Sequence, residues 1–324
     1  MRPVKDIDLR RIESFGDLAE AMLEAGGFMA THLGLGVEIL EQMIRREACV
    51  NFLSFPAAPV ATGLRGVLKE MVRRRLFQVI IASAGVWDHD LARTWSRYYR
   101  GSFLLDDVKL FRKGMHRIGN VIVPRDSYGP LLEKRLQPFL EELYSDGVRQ
   151  LSTADLSSKL GEYVGDESSI LYWAWKNRIP VVVPGPMDGA VGSQLWLFSQ
   201  KHREFKIDVL RDEETLSEIV FKAKATGALI VGGGITKHHT LWWNQFREGL
   251  DYAVYVTTAV EYDGSLSGAQ MREAISWGKL KPKASHVTIN GEATVLLPVM
   301  IKALFDRLDP EEQPSQPPRR RATG

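Results

Sequence analysis

The residues best equipped for chemistry fall within one stretch of the chain. It opens on Gly232-Gly233-Gly234, continues through Lys237-His238-His239, and closes on Ser276-Trp277-Gly278-Lys279. A neutral lysine amine forms reversible bonds to an imine carbon, and a histidine can carry a proton near neutral pH. Glycine lets a ligand touch the backbone without meeting a Cβ. Two apolar, β-rich runs, Ala228–Val231 and Tyr252–Thr257, each stop at a cluster of such residues. In open α/β sheets ligands collect at the carboxyl ends of strands, so the chemical centre is expected there. By residue type alone Lys279 reads as a surface lysine and His238-His239 as a loop pair.

Three other strand ends carry similar residues. Val50–Phe55 leads into Pro56-Ala57-Ala58-Pro59 and Thr62-Gly63, where backbone amides could face a phosphate. Phe77–Ala84 leads into Ser83-Ala84-Gly85 and then Asp88-His89-Asp90, a triplet that suits metal ligands, an amine-binding patch or a solvated helix N-terminus. Ile179–Pro184 ends at Gly185-Pro186-Met187-Asp188-Gly189, whose carboxylate suits a ribose or an amine, or simply a turn.

The elements that must position these residues are legible as periodicity. Helical spacing marks Phe15–Glu24 and Leu33–Arg46, with Gly26-Gly27 between them, and further helices over Gly66–Arg75, Tyr128–Tyr144, Leu151–Leu160, Ser168–Asn177, Gln194–His202, Thr215–Lys224 and Ala293–Leu304. Arg117–Pro124 reads as one strand. Strands alternate with helices, which predicts an α/β fold of Rossmann-like type, its mainly parallel sheet covered on both faces. The expected organisation is a helical N-terminal segment (1–50), an α/β catalytic domain (51–308) and a disordered Pro- and Arg-rich tail (309–324). With 324 residues, 25% charged and a net charge of +2, nothing points to nucleic acid. The lone Cys49 excludes an intrachain disulfide and any multi-cysteine metal site, and no metal is expected. No apolar run approaches the roughly 20 residues that span a membrane, which predicts a cytoplasmic protein.

At Gly232-Gly-Gly-Ile-Thr-Lys-His-His and Ser276-Trp-Gly-Lys279 the chain resembles the deoxyhypusine synthase family, in its archaeal form. The likeness runs from about Phe52 to Leu304 and takes in Arg117-Ile-Gly-Asn-Val-Ile-Val-Pro, Tyr172-Trp-Ala-Trp-Lys-Asn-Arg-Ile-Pro-Val and Asp251-Tyr-Ala-Val-Tyr. The resemblance implies an NAD-dependent transferase that moves the aminobutyl group of spermidine, through an imine on an enzyme lysine, to one lysine of translation factor 5A. It makes Lys279 the nucleophile and His238 the active-site histidine. Trp277 and Glu273 become donor-pocket residues, and Asp88 and Asp90 are further candidates for the donor's ammonium groups. NAD contacts fall on Thr62, Ser83, Ala84, Gly85, Asp188, Gly232, Gly233, Ala259, Asp263, Glu292 and Ala293. The resemblance also implies a homotetramer with sites shared between subunits.

The chain departs from the eukaryotic pattern at Ala57, His89 and Trp242, where that pattern has serine, glutamate and asparagine, and at Ser193 and Leu266, where it has pocket aspartates. Those departures leave open a related aminobutyltransferase with a small amine acceptor. An NAD-binding regulatory protein would not need Lys279, Trp277 and His238 together.

Overall fold

The computed structural model describes residues 1–309, so 310–324 of the expected tail lie outside the described residues. Six parallel strands form the main sheet: β1 (Cys49–Phe55), β2 (Val79–Ala82), β3 (Val181–Val182), β4 (Ala225–Val231), β5 (Leu250–Thr257) and β6 (Leu280–Asn290). Their spatial order is 3-2-1-4-5-6. This is the doubly wound dinucleotide-binding order, in which the winding direction reverses between β1 and β4 and leaves a crevice at their carboxyl ends.

Strand alternation sends successive side chains to opposite faces, and both faces are buried. Leu53, Phe55, Ile80, Leu229, Val231, Val254 and Ile289 point into one core with Val37, Leu40 and Met43 of the helix Phe28–Arg45 and with Leu297 and Met300 of the helix Ala293–Leu308. Phe52, Ile81, Ala228, Ile230 and Tyr255 face the other core, closed by Leu216 and Val220 of Leu210–Lys222 and by Leu241 and Trp243 of Gly234–Gln245. The two N-terminal helices therefore share the core of the sheet. Phe15–Glu24 starts on a capping box of Ser14 and Asp17, and its first amides donate to Asp306 near the end of the chain.

Two expectations change in detail. Arg117–Pro124 folds as an antiparallel hairpin, Met115–Ile118 against Val121–Pro124, because Gly119 takes a left-handed φ of +57° and turns the chain back. His238 and His239 lie in the helix Gly234–Gln245 and not in a loop. No helix among the described residues is long and apolar enough to cross a membrane.

Candidate active site

Every expected cofactor position follows the carboxyl end of a main-sheet strand. Thr62 comes after β1, Ser83 to Gly85 after β2, Asp188 after β3, Gly232 and Gly233 after β4, Ala259 and Asp263 after β5, and Glu292 and Ala293 after β6. Three helices start at this edge, at Gly85, Gly234 and Ala293, without a side-chain hydrogen bond to cap them, while Leu64 N at the start of a fourth donates to the Thr62 hydroxyl at 3.1 Å. Uncapped N-termini leave amides and positive dipole ends free for an anion such as a pyrophosphate. The loops are tied to one another: Ala57 N donates to the Ser83 hydroxyl at 2.9 Å, and Arg93 donates to the carbonyls of Val60 and Thr62. Gly232 has φ +66°, and a Cβ on Gly233 would stand 2.0 Å from the Ser267 hydroxyl. These features fit a bound dinucleotide.

Lys237 holds the loop after β5 against the glycine block. Its side chain is 1% exposed, and its ammonium donates to the carbonyls of Leu266 and Ala269 at 2.8 and 2.5 Å. The ammonium also sits 3.8 Å from the Tyr255 ring centroid, and the Tyr255 hydroxyl donates to Ser267 O at 2.5 Å. Burial pushes Lys237 down to about 8, with the Glu273 carboxylate pulling the other way. Its place beside His238 was the only signal in the sequence, and residue type gave no reason to expect a buried lysine.

Lys279 enters from the opposite edge, since it immediately precedes β6. The short helix Glu273–Ser276 ends in a turn in which Gly278 N and Lys279 N donate to Ile275 O and Ala274 O at 3.0 and 2.9 Å. Gly278 at φ +65° makes this left-handed exit, and Leu250 N then donates to Lys279 O at 3.1 Å. With its backbone fixed on both sides, the Lys279 side chain is 8% exposed. Its Nζ sits 5.3 Å from the Trp242 ring centroid and 5.2 Å from that of Trp277. His238 stacks on Trp242 at 5.6 Å and 27°. Burial, and then the charge of Lys279, hold the His238 imidazole below its ordinary value, so it is a neutral proton acceptor at pH 7. Helical rise puts Trp242 about 13 Å along its helix from Gly233.

The structure therefore brings together Lys279, His238 and Trp277, and adds Trp242, which the sequence showed only as a departure. Glu273 is exposed on the helix leading to Trp277. Asp88 and Asp90 are corrected: both are buried, and both carboxylates are occupied. Asp88 accepts from the Tyr128 hydroxyl at 2.6 Å and from Ala190 N and Val191 N at 2.8 Å, which caps the helix Ala190–Lys201. Asp90 accepts from Arg65 Nε at 2.6 Å, Ser169 Oγ at 2.7 Å and Leu171 N at 2.9 Å. Each carboxylate already accepts three hydrogen bonds from within the protein and is shut off from solvent, Asp88 at 1% and Asp90 at 0% exposure, so neither faces a donor's ammonium. His89 between them meets the Tyr98 hydroxyl at 3.0 Å and stacks on Tyr128, and burial lowers its basicity.

The family model described as deoxyhypusine synthase matches residues 17–304. The chain belongs to the deoxyhypusine synthase family. A probable deoxyhypusine synthase of Thermoplasma acidophilum is 51% identical over 300 residues, covering 93% of this chain and 96% of the relative. One from Picrophilus torridus is 50% identical over 299 residues, covering 92% and 96%. A crystal structure assigned to deoxyhypusine synthase from Entamoeba histolytica superposes with a TM-score of 0.66 at 17% identity, covering 93% of this chain and 96% of that one, and so shares the fold.

Proposed function

We propose that this chain is a deoxyhypusine synthase that transfers the aminobutyl group of spermidine to a lysine of translation factor 5A. The observation that carries the reading is Lys279 Nζ lodged between two indoles with His238 stacked on one of them, in a chain of this family. Bound NAD would supply the hydride chemistry, taking hydride from the donor carbon and returning it at the end. Thr62, Ser83 to Gly85, Asp188, Gly232, Gly233, Ala259, Asp263, Glu292 and Ala293 would hold it, with the uncapped helix starts facing its phosphates.

The protein's own work is to hold the donor and move protons. Lys279 gives up a proton, attacks the oxidised donor carbon and forms a C–N bond, and the donor's own C–N bond then breaks to release diaminopropane. The aminobutyl group is left as an imine on Lys279. His238, neutral at working pH, takes the proton that Lys279 sheds on attack and returns one to the leaving amine. The acceptor lysine repeats the exchange and frees Lys279. Trp277 shields the reacting nitrogen from water, and Glu273 stands near the mouth to draw in ammonium groups.

Lys279 and the cofactor cradle lie at opposite edges of one sheet, and the helix carrying Ile235, His238, Trp242 and Phe246 leaves them exposed. Both facts support a site completed by a second copy within a homotetramer. An acceptor that is a translation factor puts the reaction in the cytoplasm. Mass spectrometry of factor 5A after incubation with the chain, NAD and spermidine tests the reading. One lysine should gain the aminobutyl mass, and an unmodified acceptor would refute it.

A further inference from the structure

We propose that the chain carries a second ligand site, at the opposite edge of the main sheet from the cofactor crevice, and that its ligand is a nucleotide, a flat heteroaromatic ring joined to a phosphate. The site is the cavity among the helices Thr153–Val164, Ile170–Asn177 and Leu210–Lys222, where Trp175 supplies a ring and Arg178 an uncompensated positive charge.

The cavity lies at the amino end of β3, which Ile179 and Pro180 immediately precede, and these two residues with Ile219 give it apolar walls. Its volume is about 730 Å³, within the roughly 300–1,000 Å³ of small-molecule pockets. An adjoining cavity of about 240 Å³ shares Asp155, Thr215 and Ile219 with it.

The other charges here are already engaged. Asp155 is paired with Arg211 at 3.2 Å, and Glu218 of the adjoining cavity with Lys222 at 3.0 Å. Lys176 Nζ binds the Tyr172 hydroxyl at 3.2 Å and sits 4.9 Å from the Trp173 ring centroid. The Arg178 guanidinium, by contrast, has no hydrogen bond or ion pair among the described residues. Its backbone makes that informative. Arg178 closes the helix Ile170–Asn177 at φ +57°, the left-handed position where glycine is the favoured residue. A long side chain that is costly there and meets no protein partner is accounted for by a ligand. The Trp175 indole is half-buried, and neither its Nε1–H nor the Ser158 hydroxyl beside it in the cavity wall has a partner among the described residues.

A guanidinium holds a phosphate through parallel N–H donors, and an indole face takes a nucleobase by stacking, whatever that base's hydrogen-bonding pattern. Trp175 and Arg178 stand together at one helix end, so one ligand that joins ring and anion uses both. A bare inorganic anion would use the arginine and leave the ring and most of the volume unfilled.

The test is calorimetric titration of AMP into the full-length chain without NAD. Arg178→Gly and Trp175→Leu should each weaken AMP binding at this site about tenfold or more. Arg178→Gly should not lower Tm, because it removes the left-handed arginine. Adenosine, which lacks the phosphate, should bind the wild type about tenfold more weakly than AMP. Gly233→Val, which alters the cofactor crevice, should leave this binding event in place. AMP affinity that survives Arg178→Gly would overturn the inference, as would absence of AMP binding to the wild type. Binding that Gly233→Val abolishes and Arg178→Gly leaves intact would assign AMP to the cofactor crevice and overturn it too. Should Trp175→Leu fail to fold, Arg178→Gly and the adenosine comparison decide the matter.

Discussion

Replacing Asp90 with alanine distinguishes a carboxylate that builds the fold from one that binds a donor. In the structure it holds Arg65 Nε at 2.6 Å, Ser169 Oγ at 2.7 Å and Leu171 N at 2.9 Å, with the arginine side chain only 9% exposed and the aspartate fully buried. Removing one partner of such a pair leaves an uncompensated buried charge and costs about 3–5 kcal/mol. The two neutral donors left without an acceptor cost about 1–3 kcal/mol each where water cannot reach them. These penalties overlap, so a destabilisation of about 4–5 kcal/mol is expected. At about 2–4 °C per kcal/mol, Tm should fall by roughly 8–20 °C in thermal unfolding followed by circular dichroism. Asp90→Leu combined with Arg65→Met should recover much of that loss, because a packed apolar pair replaces the ion pair. The donor KM of Asp90→Ala, measured well below its Tm, should match that of the wild type. An unchanged Tm accompanied by a raised donor KM would refute this reasoning and return Asp90 to the donor site.

Lys279→Arg should bind NAD and spermidine but form no adduct that borohydride can trap, because a guanidinium stays protonated, and transfer to the acceptor should fall by several orders of magnitude; near-normal transfer would remove Lys279 as nucleophile. Glu273→Gln should raise donor KM about tenfold if that carboxylate attracts the donor, and an unchanged KM would exclude it. Gly233→Val should lower NAD affinity in calorimetry, since its Cβ would lie 2.0 Å from Ser267 Oγ and 2.5 Å from Ser267 Cα and must displace the loop after β5; normal affinity would place the cofactor elsewhere. Because burial and the Lys279 charge lower the His238 pKa, kcat/KM should hold as pH falls to the ordinary histidine value near 6.5 and drop only below it, and Lys279→Met should move the His238 NMR titration upward. Lys237 is held down to about 8 from an ordinary 10.5, so the unfolded chain binds more protons between those values and stability should rise with pH across that window; Lys237→Met should abolish that rise in urea unfolding.

The inner strands were legible because they are buried on both faces and carry apolar runs, Ala228–Val231 within Ala225–Val231 most plainly. The hairpin at Met115–Pro124 was not, since Gly119-Asn120 interrupts one apolar run without changing its composition. Within the site, Lys279 and His238 were found through a family's motif, as a lysine's chemistry depends on surroundings that its neighbours in sequence do not supply. Asp88 and Asp90 were misplaced because their partners are distant along the chain: Arg65, Tyr128, Ser169 and the amides of Leu171, Ala190 and Val191 carry no mark in the sequence that assigns them to these two acids. Trp242 was legible only as a departure from the eukaryotic pattern, since residue type does not say that this indole faces outward beside Lys279.

Lys279 is anchored between a tight helical exit and the first hydrogen bond of a sheet strand, while the cofactor cradle is made of loops at the far edge. The two halves of the proposed site thus rest on different parts of the fold. Loops at one edge can lengthen, shift or exchange residues without moving Lys279, the proposed covalent carrier, whose position is inherited from the sheet. Such an arrangement separates what can change over evolution from what cannot. A lineage could retune which amine it accepts by altering walls and loops, residue by residue, while the Lys279 nitrogen stays in register throughout.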